Sequence, residues 1–400
     1  MSDTPGSDVS TRARALDHGA PPTRFARGWH CLGLADSFRD GKPHAVEGFG
    51  SKLVVWQDSQ GELNVLDGFC RHMGGDLTQG TVKGDEIACP FHDWRWGGDG
   101  KCKAIPYARR VPLRARTQKY PTTIRNDQLL VWHDPEGSEP DMDILPPELP
   151  GVGTDAYTDW VWEVVPIEGS NCRELIDNVA DMAHFYYVHL SFPTSFQNIF
   201  EGHRATQFME SKGRPDVSGG YGAPELFLKS EATYYGPSYM INWLTVDYKG
   251  FETEVILINC HIPTSANSFT LQYGITVKKP EGLDEKTVAY IGKQYAKMFG
   301  EGFLQDVHIW KNKVAVQNPL LCEEDGPVYQ LRRWYEQFYV DRADVTPEMT
   351  DRFEFEVDTT KANEYWHEEV AANLARKAEE DAAAGESEGS DSPPPVMTGT

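Results

Sequence analysis

Four residues with metal-binding side chains sit in two short runs, Cys70-Arg71-His72 and Cys89-Pro90-Phe91-His92. The pattern is C-x-H, a sixteen-residue gap, then C-x-x-H. Two thiolates and two neutral imidazoles suit either a tetrahedral zinc ion or a binuclear iron–sulfur cluster. Zinc fingers usually carry paired Cys on one knuckle and paired His on another, whereas here each run carries one of each. That division suits a [2Fe–2S] cluster in which both Cys bind one iron and both His the other. A zinc site of unusual ligand order, or two unrelated Cys/His pairs, are the competing uses of these residues.

A second group lies in Asp177-Asn178-Val179-Ala180-Asp181-Met182-Ala183-His184, with His189 five residues on. On a helix, Asp177, Asp181 and His184 would fall within about 60° of one another. His189 would be roughly 140° away from His184, so two histidines on one metal require the helix to bulge or end between them. Two imidazoles and one carboxylate with open positions make the ligand set of non-haem iron(II) oxygenases. The candidate carboxylate is Asp306, an acid among Phe303, Leu304, Ile309 and Trp310. A buried lone carboxylate is costly unless paired or metal-bound; a solvated Asp on a polar helix face is the plainer alternative.

The chain that must position these groups has 400 residues, enough for two domains. Its formal charge of −23 argues against nucleic acid or an anionic membrane as partner, since both need basic surface. The first residues have no apolar core of a secretion signal, and no run approaches the ~18 apolar residues of a membrane span. A cytoplasmic protein is therefore expected. Seven cysteines are too few and too scattered for a disulfide framework. Cys31, Cys102, Cys172, Cys260 and Cys322 read as free thiols.

Residues 1–24 are polar and rich in Gly, Pro and Ser, an arm without its own core. Residues 25–135 read as short strands in a small all-β domain, with a hairpin at Asn126-Asp127. Residues 136–153 are dense in Pro, Gly and acid, the composition of a linker. Residues 154–380 read as a second domain: a helical stretch over 171–190, a Gly/Pro-rich loop region through Pro224, four strand-like runs, then a helix over about 284–313. That order predicts an α+β layout, an antiparallel sheet covered by helices on one face. The acidic, Pro-rich residues 381–400 read as disordered.

With both ligand groups in view, the chain resembles the oxygenase component of the Rieske non-haem iron oxygenases over nearly its whole length. The resemblance rests on CRHMGGDL, CPFHDWRWGGDGKCKAIPYA, DNVADMAHFYYVHLSFP and FLQDVHIWKNK. Its narrower form is with oxygenase components of 3-ketosteroid 9α-hydroxylases. It implies an all-β Rieske domain and a helix-grip catalytic domain. Cys70, His72, Cys89 and His92 become the cluster ligands, and His184, His189 and Asp306 the ligands of one mononuclear Fe(II). Asp181 becomes the acid bridging an iron-bound histidine to a cluster histidine, His92 of a neighbouring subunit in a homotrimer. Asp177 stands where many relatives have Glu. Respiratory Rieske proteins carry an additional cysteine in each cluster loop; Gly75 or its neighbours and Phe91 stand there instead.

The implied reaction is monooxygenation of the 3-ketosteroid nucleus, with O2 as cosubstrate. NADH and flavin act only through a separate ferredoxin-type reductase. Met240, Trp243, Phe303 and Trp310 are the expected substrate-binding wall, with Asn259 as a polar contact near the iron. Another apolar substrate, met by a demethylase, dihydroxylase or sterol desaturase, is the alternative. A pure electron carrier would have no use for His184 and His189 on a second domain. Independently of the resemblance, Lys101 to Lys119 holds seven Lys/Arg and no acid. The stretch directly follows the second cluster loop. It is a candidate landing site for an acidic reductase, or else for salt bridges within the protein.

Overall fold

A computed structural model describes residues 13–217, 223–280 and 282–389. The first half is built from eleven short strands: β1 (Gly28–Leu34), β2 (His44–Gly48), β3 (Ser51–Gln57), β4 (Leu63–Asp67), β5 (Thr81–Lys83), β6 (Glu86–Ala88), β7 (Arg95–Gly97), β8 (Cys102–Ala104), β9 (Lys119–Tyr120), β10 (Thr122–Arg125) and β11 (Gln128–His133). They form sheets ordered β1-β11-β10, β2-β3-β4-β9 and β5-β6-β7-β8. The expected hairpin joins β10 to β11, with Asn126 and Asp127 both at positive φ (52° and 67°). That double left-handed step matches the twist of the strands it connects.

The second half follows as β12 (Val161–Glu168), α1 (Arg173–Ile176), α2 (Ala183–Tyr187), β13 (Ser191–Glu201), β14 (Arg204–Gly213), β15 (Leu226–Tyr235), β16 (Tyr239–Tyr248), β17 (Phe251–Ser265), β18 (Ser268–Val277), α3 (Glu285–Asn312), α4 (Val328–Glu336), α5 (Pro347–Thr350), β19 (Phe353–Glu356) and α6 (Thr360–Gly389). Eight strands make one antiparallel sheet in the order β12-β18-β17-β16-β15-β14-β13-β19. α3 is capped by Asp284, whose carboxylate accepts from the amides of Lys286 and Thr287.

The centre of this sheet, at β17 and β18, is buried on both faces. Along β16, Met240, Asn242 and Leu244 face the helices, while Tyr239, Ile241 and Trp243 face the first domain. There they meet Trp29 and Cys31 of β1 and Leu130 and Trp132 of β11 in one apolar cluster. Burial on both sides explains why β17 reads EVILINCHI, with almost no polar alternation.

Four expectations change. The stretch over 171–190 is not one helix: α1 passes into a 3-10 turn at Asp177–Val179, and α2 starts only at Ala183. The expected loop region through Pro224 holds two long strands, β13 and β14, whose alternating burial was masked by Pro193 and flanking glycines. The expected linker is no free tether, because Ile144 and Leu149 are buried in the cluster between the domains. Finally, α6 runs through Gly389, so helix occupies the start of the expected disordered tail. Residues 390–400 of that tail, and residues 1–12 of the arm, lie outside the described residues.

Candidate active site and metal centres

The two cluster loops are built alike. In the first, the Cys70 amide donates to Gly75 O and the Gly74 amide to Cys70 O, both at 2.8 Å. In the second, the Cys89 amide donates to Trp94 O and the Asp93 amide to Cys89 O, both at 2.9 Å. Gly74 and Asp93 turn each loop at positive φ. Each turn thus presents one Cys and one His to the same space.

Both sulfurs are buried, and the His72 and His92 rings lie 4.7 Å apart. Trp96 Nε1 donates to Cys70 Sγ at 3.3 Å, and the Trp94 ring stacks on His72 at 4.4 Å. Burial, reinforced by the adjacent Cys89, pushes the Cys70 thiol up from its ordinary pKa. A bound cation relieves that cost by stabilising the thiolate. His92 Nδ1 is buried without a hydrogen-bond partner, which is the condition of an atom meant for a metal. A Cβ added to Gly75 would lie 2.7 Å from Cys89 Sγ and 3.2 Å from Phe91 Cβ. Gly75 and Phe91 therefore face each other across the loops.

The second centre forms where α2 ends. His184 O accepts from the amides of Val188 and His189, and Leu190 then takes positive φ (57°). This break swings His189 back beside His184, their rings 5.2 Å apart. Asp306 of α3 closes the group, and candidate ligand atoms of His184, His189 and Asp306 all lie within 4.8 Å of one another. Asp306 Oδ2 is 3.1 Å from His189 Nε2. His184 Nδ1 donates to Asp181 O at 2.8 Å, and His189 Nδ1 to Gln305 Oε1 at 3.4 Å. Both histidines therefore aim Nε2 at the shared point.

Burial alone would lower the His184 pKa. The hydrogen bond to Asp181 and the charges of Asp181 and Asp306 outweigh it, and the value rises. A field that favours a proton on His184 also favours a metal cation beside it. The donor set fits iron(II) in both type and convergence.

These loops and ligands lie on a chain that two sequence profiles match. The profile of the Rieske [2Fe-2S] domain matches residues 28–121, and that of the 3-Ketosteroid 9alpha-hydroxylase C-terminal domain matches residues 131–339. The chain belongs to the 3-ketosteroid 9α-hydroxylase family of Rieske oxygenases.

It is 62% identical to a 3-ketosteroid-9-alpha-monooxygenase oxygenase component of Rhodococcus rhodochrous, over 92% of this chain and 97% of that protein. It is 58% identical to a namesake of Mycobacterium tuberculosis, over 96% and 98%. Its fold is that of Pseudomonas putida NdmA with caffeine, at a TM-score of 0.63 and 15% identity, covering 82% of this chain and 96% of that one. Members of this family carry a Rieske cluster and a non-haem iron, and the residues above fit both.

Beside His184, His189 and Asp306 lies an apolar cavity with about 740 Å³ of atom-free space, mouth included. Met240, Phe303, Trp310 and Asn259 are among the residues that line it. Trp243 is not, because the two-residue period of β16 turns it toward the first domain. Asp181 lies next to His184, its side chain 39% exposed and its carboxylate accepting from the His184 amide at 3.2 Å.

Several supporting residues carry no sequence signature. Asn178 donates to Asp306 Oδ1 at 3.1 Å and accepts from Trp310 Nε1 at 3.4 Å, orienting the carboxylate. Asp177 makes a two-pronged pair with Arg332 of α4 (2.9 and 2.6 Å), so it ties the loop to the scaffold and not to the metal.

Arg214 of the segment after β14 donates to Tyr186 O at 3.0 Å and lies over the Tyr186 ring at 4.0 Å. Its other nitrogens grip Asp216, which accepts from Asn373 of α6 at 2.9 Å. Trp366 of α6 stacks on the opposite part of this group, 4.6 Å from Tyr186. The C-terminal helix thus braces the two-histidine turn. Arg214→Leu is expected to cut mononuclear-iron affinity by about 10- to 100-fold while sparing the cluster. Metal analysis beside the cluster's visible spectrum checks this.

Proposed function

We propose that this chain is the terminal oxygenase that hydroxylates the nucleus of 3-ketosteroids at the 9α position. O2 is the cosubstrate, and a separate NADH-dependent reductase in the cytoplasm supplies the electrons. The observation that carries the reading is the cavity: a mostly apolar chamber ending on the three-ligand iron site, in a chain of this family.

Two of its lining polar atoms, Gln207 Nε2 and Asn259 Oδ1, are buried without partners. Gln207 Nε2 is a donor suited to a ketone oxygen, and leaving it unpaired is costly until such an acceptor arrives. Met240, Phe303 and Trp310 hold the ring faces and exclude water.

When bound, the cluster supplies electrons singly and the mononuclear iron supplies O2 activation. His184 and His189 keep their Nε2 atoms aimed inward through their Nδ1 bonds. Asp181, partly exposed on the iron-ligand side, offers a carboxylate through which a proton or electron donor outside the chain can reach His184. In the proposed homotrimer that donor is His92 of the next subunit. Phe91 and Met73, 59% and 65% exposed beside the cluster, support an interface there.

The test is product analysis after incubation with reductase, NADH, O2 and androstadienedione. Formation of the 9α-hydroxy product is expected, from a particle of three times the chain mass. Absence of both hydroxylation and substrate-stimulated O2 uptake would remove the steroid assignment. Gln207→Leu is expected to raise KM about tenfold or more through the lost ketone bond, with O2 chemistry intact.

A further inference from the structure

The stretch Lys101–Lys119 folds into a loop pinned to the cluster domain. The Cys102 amide donates to Ala115 O at 2.9 Å and the Thr117 amide to Gly100 O at 2.8 Å. Ile105 is buried in the cluster core, with Val111 and Ala115 packed against it. These anchors leave Arg109, Arg110, Arg114, Arg116 and Lys119 no direction but outward, and all five are exposed. Lys101 and Lys103 pair with Asp99, but those five have no acidic partner among the described residues. Elsewhere arginines are engaged, as in Arg173–Glu336, Arg332–Asp177 and Arg352–Glu354. In a chain of charge −23, a block of unpaired cations is an anomaly that internal salt bridges do not explain.

The same loop reaches the cluster ligand His72 through a hydrogen bond and a ring stack. Tyr107, 64% exposed, accepts from Trp94 Nε1 at 2.8 Å, and Trp94 lies flat on His72, the planes 9° apart. Leu113, 96% exposed, adds an apolar point between Arg110 and Arg114 along the chain. Charge at the rim with apolar contacts inside is the anatomy of a transient docking surface.

We propose that this loop is the landing surface for the acidic face of a ferredoxin-type [2Fe–2S] domain of the reductase. Electrons then arrive along Tyr107, Trp94 and His72. Each encounter moves one electron: the donor's reduced cluster is oxidised, this chain's oxidised cluster is reduced, and no bond is made or broken. The proposal rests on the oxygenase reading above and names where its partner binds.

The experiment uses the holoprotein and the purified reductase component of a 3-ketosteroid 9α-monooxygenase. Cluster bleaching is followed by stopped flow at low and high salt. The variants are Arg109→Glu/Arg110→Glu and Arg114→Glu/Arg116→Glu. Each is expected to slow reduction by the reductase at least about tenfold at low salt and to flatten its salt dependence. Cluster content, particle mass and product yield in a single turnover of dithionite-reduced enzyme should stay unchanged. Tyr107→Leu should slow reduction while keeping the wild-type salt dependence. An unaltered rate in both charge-reversed variants overturns the proposal. So does a loss of particle mass or single-turnover yield, which would assign the loop to a subunit contact. Failure of the wild-type protein to hydroxylate steroid would instead strike the functional reading, leaving the reduction rates to judge the docking surface.

Discussion

Asp306→Ala will leave a protein that keeps its cluster and loses its chemistry. Iron should fall from about three atoms per chain to about two, because only the mononuclear site loses a ligand. Steroid hydroxylation should drop to background, while the visible spectrum of the cluster and its reduction by dithionite persist. The physical reason lies in the burial of the site. Asp306 is 7% exposed and supplies the negative charge among the three proposed ligands. Without it a dication would sit in a dry pocket facing only neutral imidazoles and the more distant Asp181. Asp306→Asn should behave nearly as badly, since it keeps the shape and removes the charge. Iron analysis of holoprotein beside its spectrum decides the matter, and retention of three irons in Asp306→Ala would refute the ligand assignment.

The second large effect is a loss of stability in mild acid. His30 on β1, His133 at the end of β11 and His261 on β17 meet where the two domains join. Burial lowers their pKa values to about 4, about 3 and about 3 respectively. Mutual repulsion adds to this for His133 and His261, each facing His30. Asp134 opposes the shift at His133, and Arg24 reinforces it. In the unfolded chain each histidine would take up a proton near pH 6.5.

The folded state therefore binds fewer protons between about pH 6.5 and the depressed values, and stability falls as pH drops through that window. At pH 5 the cost is about 2 kcal/mol per histidine relative to pH 8. His261→Gln keeps a similar volume with nothing to titrate. Denaturant titrations at pH 8 and pH 5 should show it losing about 2 kcal/mol less than wild type across that interval. An identical pH-dependent loss in both proteins would show that the domain junction does not titrate.

The metal chemistry was legible early because it depends on residue types at short range. Cys70 and His72, or Cys89 and His92, are brought together by one turn of backbone each, so their spacing in the chain is nearly their spacing in space. The hairpin at Asn126-Asp127 and the capped helix α3 were legible for the same reason, since φ preferences and an Asp cap act within a few residues. The strands β13 and β14 were not legible, because Pro193 and neighbouring glycines mask a pattern that sheet pairing overrides.

What only the tertiary structure decided is the side on which each residue falls and whom it meets. Asp306 lies 3.1 Å from His189 across more than a hundred residues of chain, a distance set by how α3 packs on the sheet. The register of β16 gives Met240 to the cavity and Trp243 to the domain junction, although both looked like pocket walls. Arg214 and Asn178 gained their tasks from partners that no local rule predicts. Local geometry places donors a few bonds apart, whereas burial, field and shape arise when distant segments exclude water together. Hence residue types and spacing pointed to two candidate metal centres, and the packed sheet decided where the cavity, its supports and the buried histidines lie.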